Sequence, residues 1–195
     1  DDTYMTGHVG LRYIWSENAS SYVSVARGHA SQIFPLFGYP VGGKLDDAYP
    51  ASESWTYEAG TKLSFLGGRA QIDAAVFYND ISNGVVTYYD PAALSFRTLY
   101  QDYETAGFEL QGRAMLTDRL SMNGGVGYTH TELGSEGSVA GIDGNRVPNI
   151  PEWTANLGLK YARPLTIAGS AGDLSMGLDW QYASSRKADV QEAFE

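Results

Sequence analysis

The sequence contains no cysteine. That excludes a disulfide framework and any thiolate metal site, and it suits a chain that crosses an oxidising compartment without crosslinks. No run approaches the ~18 apolar residues of a membrane helix. A membrane-spanning β-barrel stays open, because it needs only alternation. There is no basic stripe, and the net charge is −10, which argues against a nucleic-acid partner. The acidic excess sits mostly in expected loops (Asp46, Asp47, Glu132, Glu136, Asp143) and reads as solvated surface. The start, DDTYMTG, has neither a basic nor an apolar signal-peptide region, so an exported protein would have its true N-terminus elsewhere.

Metal, nucleotide and catalytic constellations are also missing. His8, His29 and His130 do not lie at metal-ligand spacing. Asp143-Gly144-Asn145 lacks the further carboxylates of a calcium loop. Gly124-Gly125-Val126-Gly127 falls inside a strand, not between strand and helix, so it is no nucleotide loop. Nothing fixes a His-Ser pair for hydrolysis. The expectation is a protein that is not an enzyme and carries no cofactor.

What the chain does have is tyrosine (14), glycine (23) and modest proline (7), the balance of many strands joined by turns. Residues 55–79 show it best. Trp55, Tyr57, Ala59, Thr61, Leu63 and Phe65 alternate with Thr56, Glu58, Gly60, Lys62 and Ser64. After Gly67-Gly68, Ala70, Ile72, Ala74, Val76 and Tyr78 alternate with Gln71, Asp73, Ala75, Phe77 and Asn79. Period two around Gly-Gly predicts a hairpin, running on through Ile81 to Tyr89. Further strands are expected at 4–15, 21–29, 95–116 (interrupted near 102–107), 120–131, 153–162 and 174–183. Short connections (16–20, 66–69, 117–119 and a longer 164–173) alternate with long ones (30–53, 80–104, 132–151 and after 184). Short turns at one end and long loops at the other are the layout of an outer-membrane barrel.

In the six clearest strands, one face carries no charge, and Thr61 is its only polar residue. The opposite face carries Glu58, Lys62, Asp73, Glu109, Arg113, Lys160 and Asp179, which are expected to face the barrel lumen. Ladder pairing among them, worth roughly 0.2–1 kcal/mol per pair, or contact with a plug is the expected role. A soluble sandwich would alternate similarly, but three details favour a membrane. The strands reach the about 9–11 residues of a tilted span. Trp and Tyr collect at both ends of the apolar face, as headgroup-level girdles do. Small residues (Ala59, Ala70, Ala74, Gly112, Gly124) sit among the apolar positions, where lipid fills around them but a packed core would leave voids.

Four stretches resemble the TonB-dependent outer-membrane receptors, nearest their siderophore-receptor branch: YVSVARGH (22–29), TYEAGTKLSFLGGRAQIDAAVFYNDISNGVVTY (56–88), YETAGFELQGRAMLTDRLSMNGGVGYTHTE (103–132) and GNRVPNIPEWTANLGLKY (144–161). They occur in the family's order. The resemblance departs at Glu104-Thr105-Ala106-Gly107, where the family has Asn-Ala-Gly, and at His29, where it has an aromatic. It implies an all-β antiparallel meander of about eight long strands, part of an about 22-stranded bacterial outer-membrane barrel. Residues 1–195 would then be one partial barrel domain. The plug and the TonB box would lie outside these residues, and so would the closing aromatic strand, since Phe194 is penultimate in a stretch without alternation.

The resemblance further implies active import of a ferric siderophore or similar scarce ligand. Its partners would be outer-membrane lipid, the ligand, and the TonB complex acting through the plug region. Iron would arrive already chelated, so no protein metal ligands are implied. Candidate ligand contacts are Phe34, Phe37 and Tyr39 in the first long loop, Tyr88, Tyr89, Arg97 and Tyr100 in the second, and Arg27 at the lumen mouth. A passive porin or self-contained small barrel, and a soluble β-rich adhesin or lectin domain, are the alternative readings.

Overall fold

A computed structural model describes residues 4–31, 50–90, 93–137, 139 and 141–192. Phe34, Phe37, Tyr39 and Phe194 lie outside the described residues. Eight strands form one antiparallel sheet in strict sequence order: β1 (Gly7–Ser16), β2 (Ala19–Ala30), β3 (Ser52–Phe65), β4 (Ala70–Asp90), β5 (Ser95–Met115), β6 (Leu120–Gly137), β7 (Trp153–Ile167) and β8 (Ser170–Ala183). The sheet does not close, because β1 and β8 are its two edges.

The cross-strand register keeps the two predicted faces intact across all eight strands. Val25, Tyr57, Tyr78 and Ala106 are successive partners on one face, and Ser20, Lys62, Asp73, Gln111 and Gly125 are successive partners on the other. On the apolar face the rings cluster at two levels. Phe108, Tyr128 and Trp153 form a triad with centroids 4.8–6.0 Å apart. Trp55–Tyr57–Tyr78 and Trp180–Tyr182 continue that level, while Tyr13–Trp15 lies at the opposite end. Thr61, the polar intruder, donates to the Ser20 carbonyl at 3.1 Å and accepts from Ser21 at 3.3 Å. The apolar face therefore offers no unsatisfied hydroxyl at that point, as an oily surrounding demands.

Three connections differ from the sequence reading. The stretch 80–104 is not a long loop. β4 and β5 each run for 21 residues and pair until Asp90 meets Ser95. The connection 164–173 shrinks to Ala168-Gly169, both at positive φ, between Ile167 and Ser170. Pro164 sits inside β7 opposite Asp173. Ala162 donates its amide to the β6 side, at Arg119, and beyond it β7 has no partner there. Pro164, two residues on, aims its missing N–H at that same empty side, so the ladder loses nothing. β6 likewise runs past residue 131 to Gly137.

Beyond the aromatic triad the long hairpin supports a small packed cap. Val86, Tyr88, Leu99, Leu133, Ile142, Val147 and Val190 are buried together, with Tyr103, Val139 and Ile150 against them. The cap exists because β4 changes phase. Ile81 pairs with Tyr103 and Gly84 with Gln101, so Ser82 and Asn83 together oppose Asp102. Asn83 adopts φ 52°, and its amide donates to Asp102 Oδ1 at 2.7 Å. This β-bulge re-aims the strand. Odd residues face the polar side below it, and Val86 and Tyr88 face that side above it. β6 bulges too, between Leu133 and Gly137, and the fully buried Gln101 amide donates to the Gly134 carbonyl at 2.7 Å.

Candidate lumen wall and its mouth

The polar face is built by strand parity alone. Once Glu58 faces one side, every second residue of β3 follows, and antiparallel register fixes its neighbours. All seven predicted wall charges lie on this face. Arg12 and Tyr22 from β1 and β2 join them. The Tyr22 ring lies over Gly60, where a side chain would collide with it, and its hydroxyl donates to the Glu58 carboxylate.

The charges do not pair directly with one another. Lys62 stands opposite Asp73 in register, yet Asp73 accepts from the Gln71 amide at 3.1 Å. The Gln71 carbonyl oxygen in turn accepts from Arg113 Nη2 at 2.6 Å. A neutral amide thus links Arg113 to Asp73, and the expected ion-pair ladder is replaced by an amide-bridged chain. Gln71, Asp73, Gln111, Arg113, Asn123 and Asn156 line an open groove of about 390 Å³ in this wall. These amides carry no charge signal, so the sequence reading overlooked them, although their parity was visible.

The predicted ligand contacts separate. Tyr88 and Arg97 are cross-strand partners on the inner side of the hairpin. Tyr88 is buried in the cap, and Arg97 is paired with Asp90 at 2.6 Å. Burial, then the nearby Asp90 charge, raises the Tyr88 hydroxyl pKa above the usual phenol value, with Arg97 opposing; burial alone raises Tyr103. Tyr89 and Tyr100 point outward: Tyr89 meets Phe96 edge-on at 5.6 Å, and Tyr100 stands opposite Val85. Arg27 is not at the lumen mouth. Its register partner is Trp55, on the apolar face. The guanidinium lies 5.6 Å from the centre of the Trp55 ring and pairs with Glu53 at 2.7 Å. The Arg27 hydrogen bond and charge hold the Glu53 carboxyl below its ordinary value. This is a cation over an aromatic ring at one end of the apolar face, an arrangement suited to a headgroup layer. Among the described residues, no group of three or more His, Asp or Glu is placed to hold a metal ion.

Residues 1–194 match the family described as TonB dependent receptor-like, beta-barrel. The chain belongs to this TonB-dependent receptor family. Its members are outer-membrane β-barrels, a class in which the apolar sheet face meets lipid and the polar one faces the lumen. The chain is 27% identical over 184 residues to the ferrioxamine receptor of Yersinia enterocolitica, covering 92% of this chain and 24% of that protein. It is 28% identical over 152 residues to the metal-pseudopaline receptor CntO of Pseudomonas aeruginosa, covering 78% and 20%. The ferric yersiniabactin uptake receptor FyuA of Yersinia pestis shares the fold, with a TM-score of 0.75 at 18% identity over 97% of this chain and 27% of that one. The copper transporter OprC gives 0.66 at 18% identity, over 90% and 26%. The chain therefore spans about a quarter of the length of the receptors it matches.

Proposed function

We propose that these residues are one wall of an active outer-membrane receptor that captures a ferric siderophore or another scarce metal chelate and imports it with TonB energy coupling. The observation that carries this reading is the eight-stranded open sheet, lipid-facing on one side and polar on the other, in a chain whose relatives are named as siderophore and metal-chelate receptors. Two edges without partners disfavour a self-contained small barrel. A soluble domain would not present Trp55, Tyr57, Val76, Leu178 and Trp180 to water on one continuous face.

The wall does no bond chemistry. Its amides offer paired donors and acceptors to polar groups inside the lumen. The metal is cargo and arrives within its chelator. The TonB complex would act through a plug region, not through this wall.

The test is uptake. Cells lacking the whole receptor are complemented with it and given radio-iron ferrioxamine, ferrichrome or a catecholate chelate under iron starvation. Receptor-dependent accumulation of one chelate that is lost on collapsing the proton gradient supports the reading. Equal, gradient-independent passage of all three would instead identify a passive pore.

A further inference from the structure

The segment after β8 does not simply leave the sheet. Ser184 donates its amide to the Trp153 carbonyl on the neighbouring strand. From β8, at one edge of the sheet, the chain reaches as far as β4. The amide of Asn149 donates to the Lys187 carbonyl at 2.8 Å, and that of Tyr89 to the Ala188 carbonyl at 3.4 Å. Asn145 Nδ2 donates to the Val190 carbonyl at 2.9 Å, and the Arg146 amide to Glu192 Oε1 at 2.6 Å. Val190 itself is 3% exposed, seated among Val86, Leu99, Leu133, Ile142 and Val147. The same loop is tied to β6 independently: Leu133 and Asn145, Gly144 and Leu133, and Val147 and Thr131 are hydrogen-bond partners.

We propose that residues 184–192 are a permanent clasp. They fasten the β4–β5 hairpin and the 141–150 loop into one rigid wall at the barrel mouth, which an entering ligand meets as a fixed surface. Opening the clasp would expose Val190 and strip partners from both other elements at once, so the three segments hold or fail together. A mobile gate would instead rest on exposed, weakly bonded contacts. In this arrangement Tyr88 belongs to the core of the wall and does not touch ligand. The clasp itself stands on the geometry; its transport consequence rests on the import reading above.

The test uses the full-length receptor in its membrane. Asn149→Cys and Lys187→Cys place two thiols on hydrogen-bonded residues of a stretch that has no native cysteine. Disulfide formation is verified by non-reducing peptide mapping. The clasp predicts that oxidised and reduced receptors accumulate radio-iron ferrioxamine, or the chelate preferred in the panel above, within twofold of each other. A tenfold loss on oxidation, restored by reductant, would make the segment a gate and overturn the proposal. If the unmodified receptor imports none of the chelates, the import reading fails, and hydrogen exchange decides the clasp alone. Val190→Asp, and separately Asn145→Ala, should then speed exchange across 85–89, 133 and 144–149 together while the girdle strands stay protected. Acceleration confined to 187–192 would refute it.

Discussion

At the residue scale, the wall shows which glycines are obligatory. A side chain at Gly107 would fall 2.0 Å from the Tyr128 carbonyl oxygen, which belongs to the ladder and cannot move. A side chain at Gly60 would meet the Tyr22 ring at 2.6 Å, but that ring can swing into the lumen. Overpacking costs about 1–3 kcal/mol. Gly107→Ala is expected at or above the top of that range and Gly60→Ala near the bottom, with Tyr22→Phe then adding little to Gly60→Ala. Chemical unfolding of the receptor in liposomes ranks the three. Tyr88 supplies a pH test. Its neutral hydroxyl is favoured in the folded cap, so the folded pKa exceeds the unfolded value of about 10. Its contribution to cap stability is complete below that unfolded value and is lost as pH rises towards the folded one. Alkaline titration of phenolate absorbance should show a late component, shared with Tyr103 and other raised phenols, that Tyr88→Phe reduces by one group. An amplitude unchanged by Tyr88→Phe would mean that Tyr88 is not buried in the cap.

At the element scale, alternation made the strands legible and also set the limit of what could be read. Parity put all seven charges on one face and left the other uncharged, as the register has them. It failed where the period itself changes. The Ser82–Asn83 bulge flips β4, so Tyr88 turns inward and Tyr89 outward, and no polarity pattern announced the flip. Pro164 read as a breaker, although the lost N–H faces an unpaired side of β7. Arg27 was drawn to the lumen by its charge, whereas its register with Trp55 puts it on the girdle. The cap could not be read because its core joins residues some 100 positions apart, from Val86 to Val190. The bulge makes its own prediction. Asn83 tolerates φ 52° and a β-branched residue does not, so Asn83→Val should cost about 1–2 kcal/mol. The cost should appear as faster hydrogen exchange through 84–101, with 70–80 unaffected. Uniform behaviour along β4 would mean that the bulge does not define the cap.

At the scale of the whole molecule, the two faces of the sheet meet different solvents. Ala74 and Ala75 are neighbours in sequence, but Ala74 pairs with Thr61 on the lipid face and Ala75 with Gly60 on the wall. An arginine near the bilayer midplane costs about 2–4 kcal/mol on a lipid face. Ala74→Arg should therefore impair insertion strongly while Ala75→Arg folds nearly as well as the parent, judged by the heat-modifiable band in outer-membrane fractions. The open edges at β1 and β8 lead to the central claim, that this sheet is one part of a larger receptor barrel. The direct measurement is the mass of the native outer-membrane protein that carries this sequence, detected with an antibody against residues 141–152. A part of a larger barrel should come from a heat-modifiable species several times larger than 21.2 kDa, since the chain spans 24% and 20% of two of its relatives. A folded species close to 21.2 kDa would contradict it, because eight strands would then have to close by themselves.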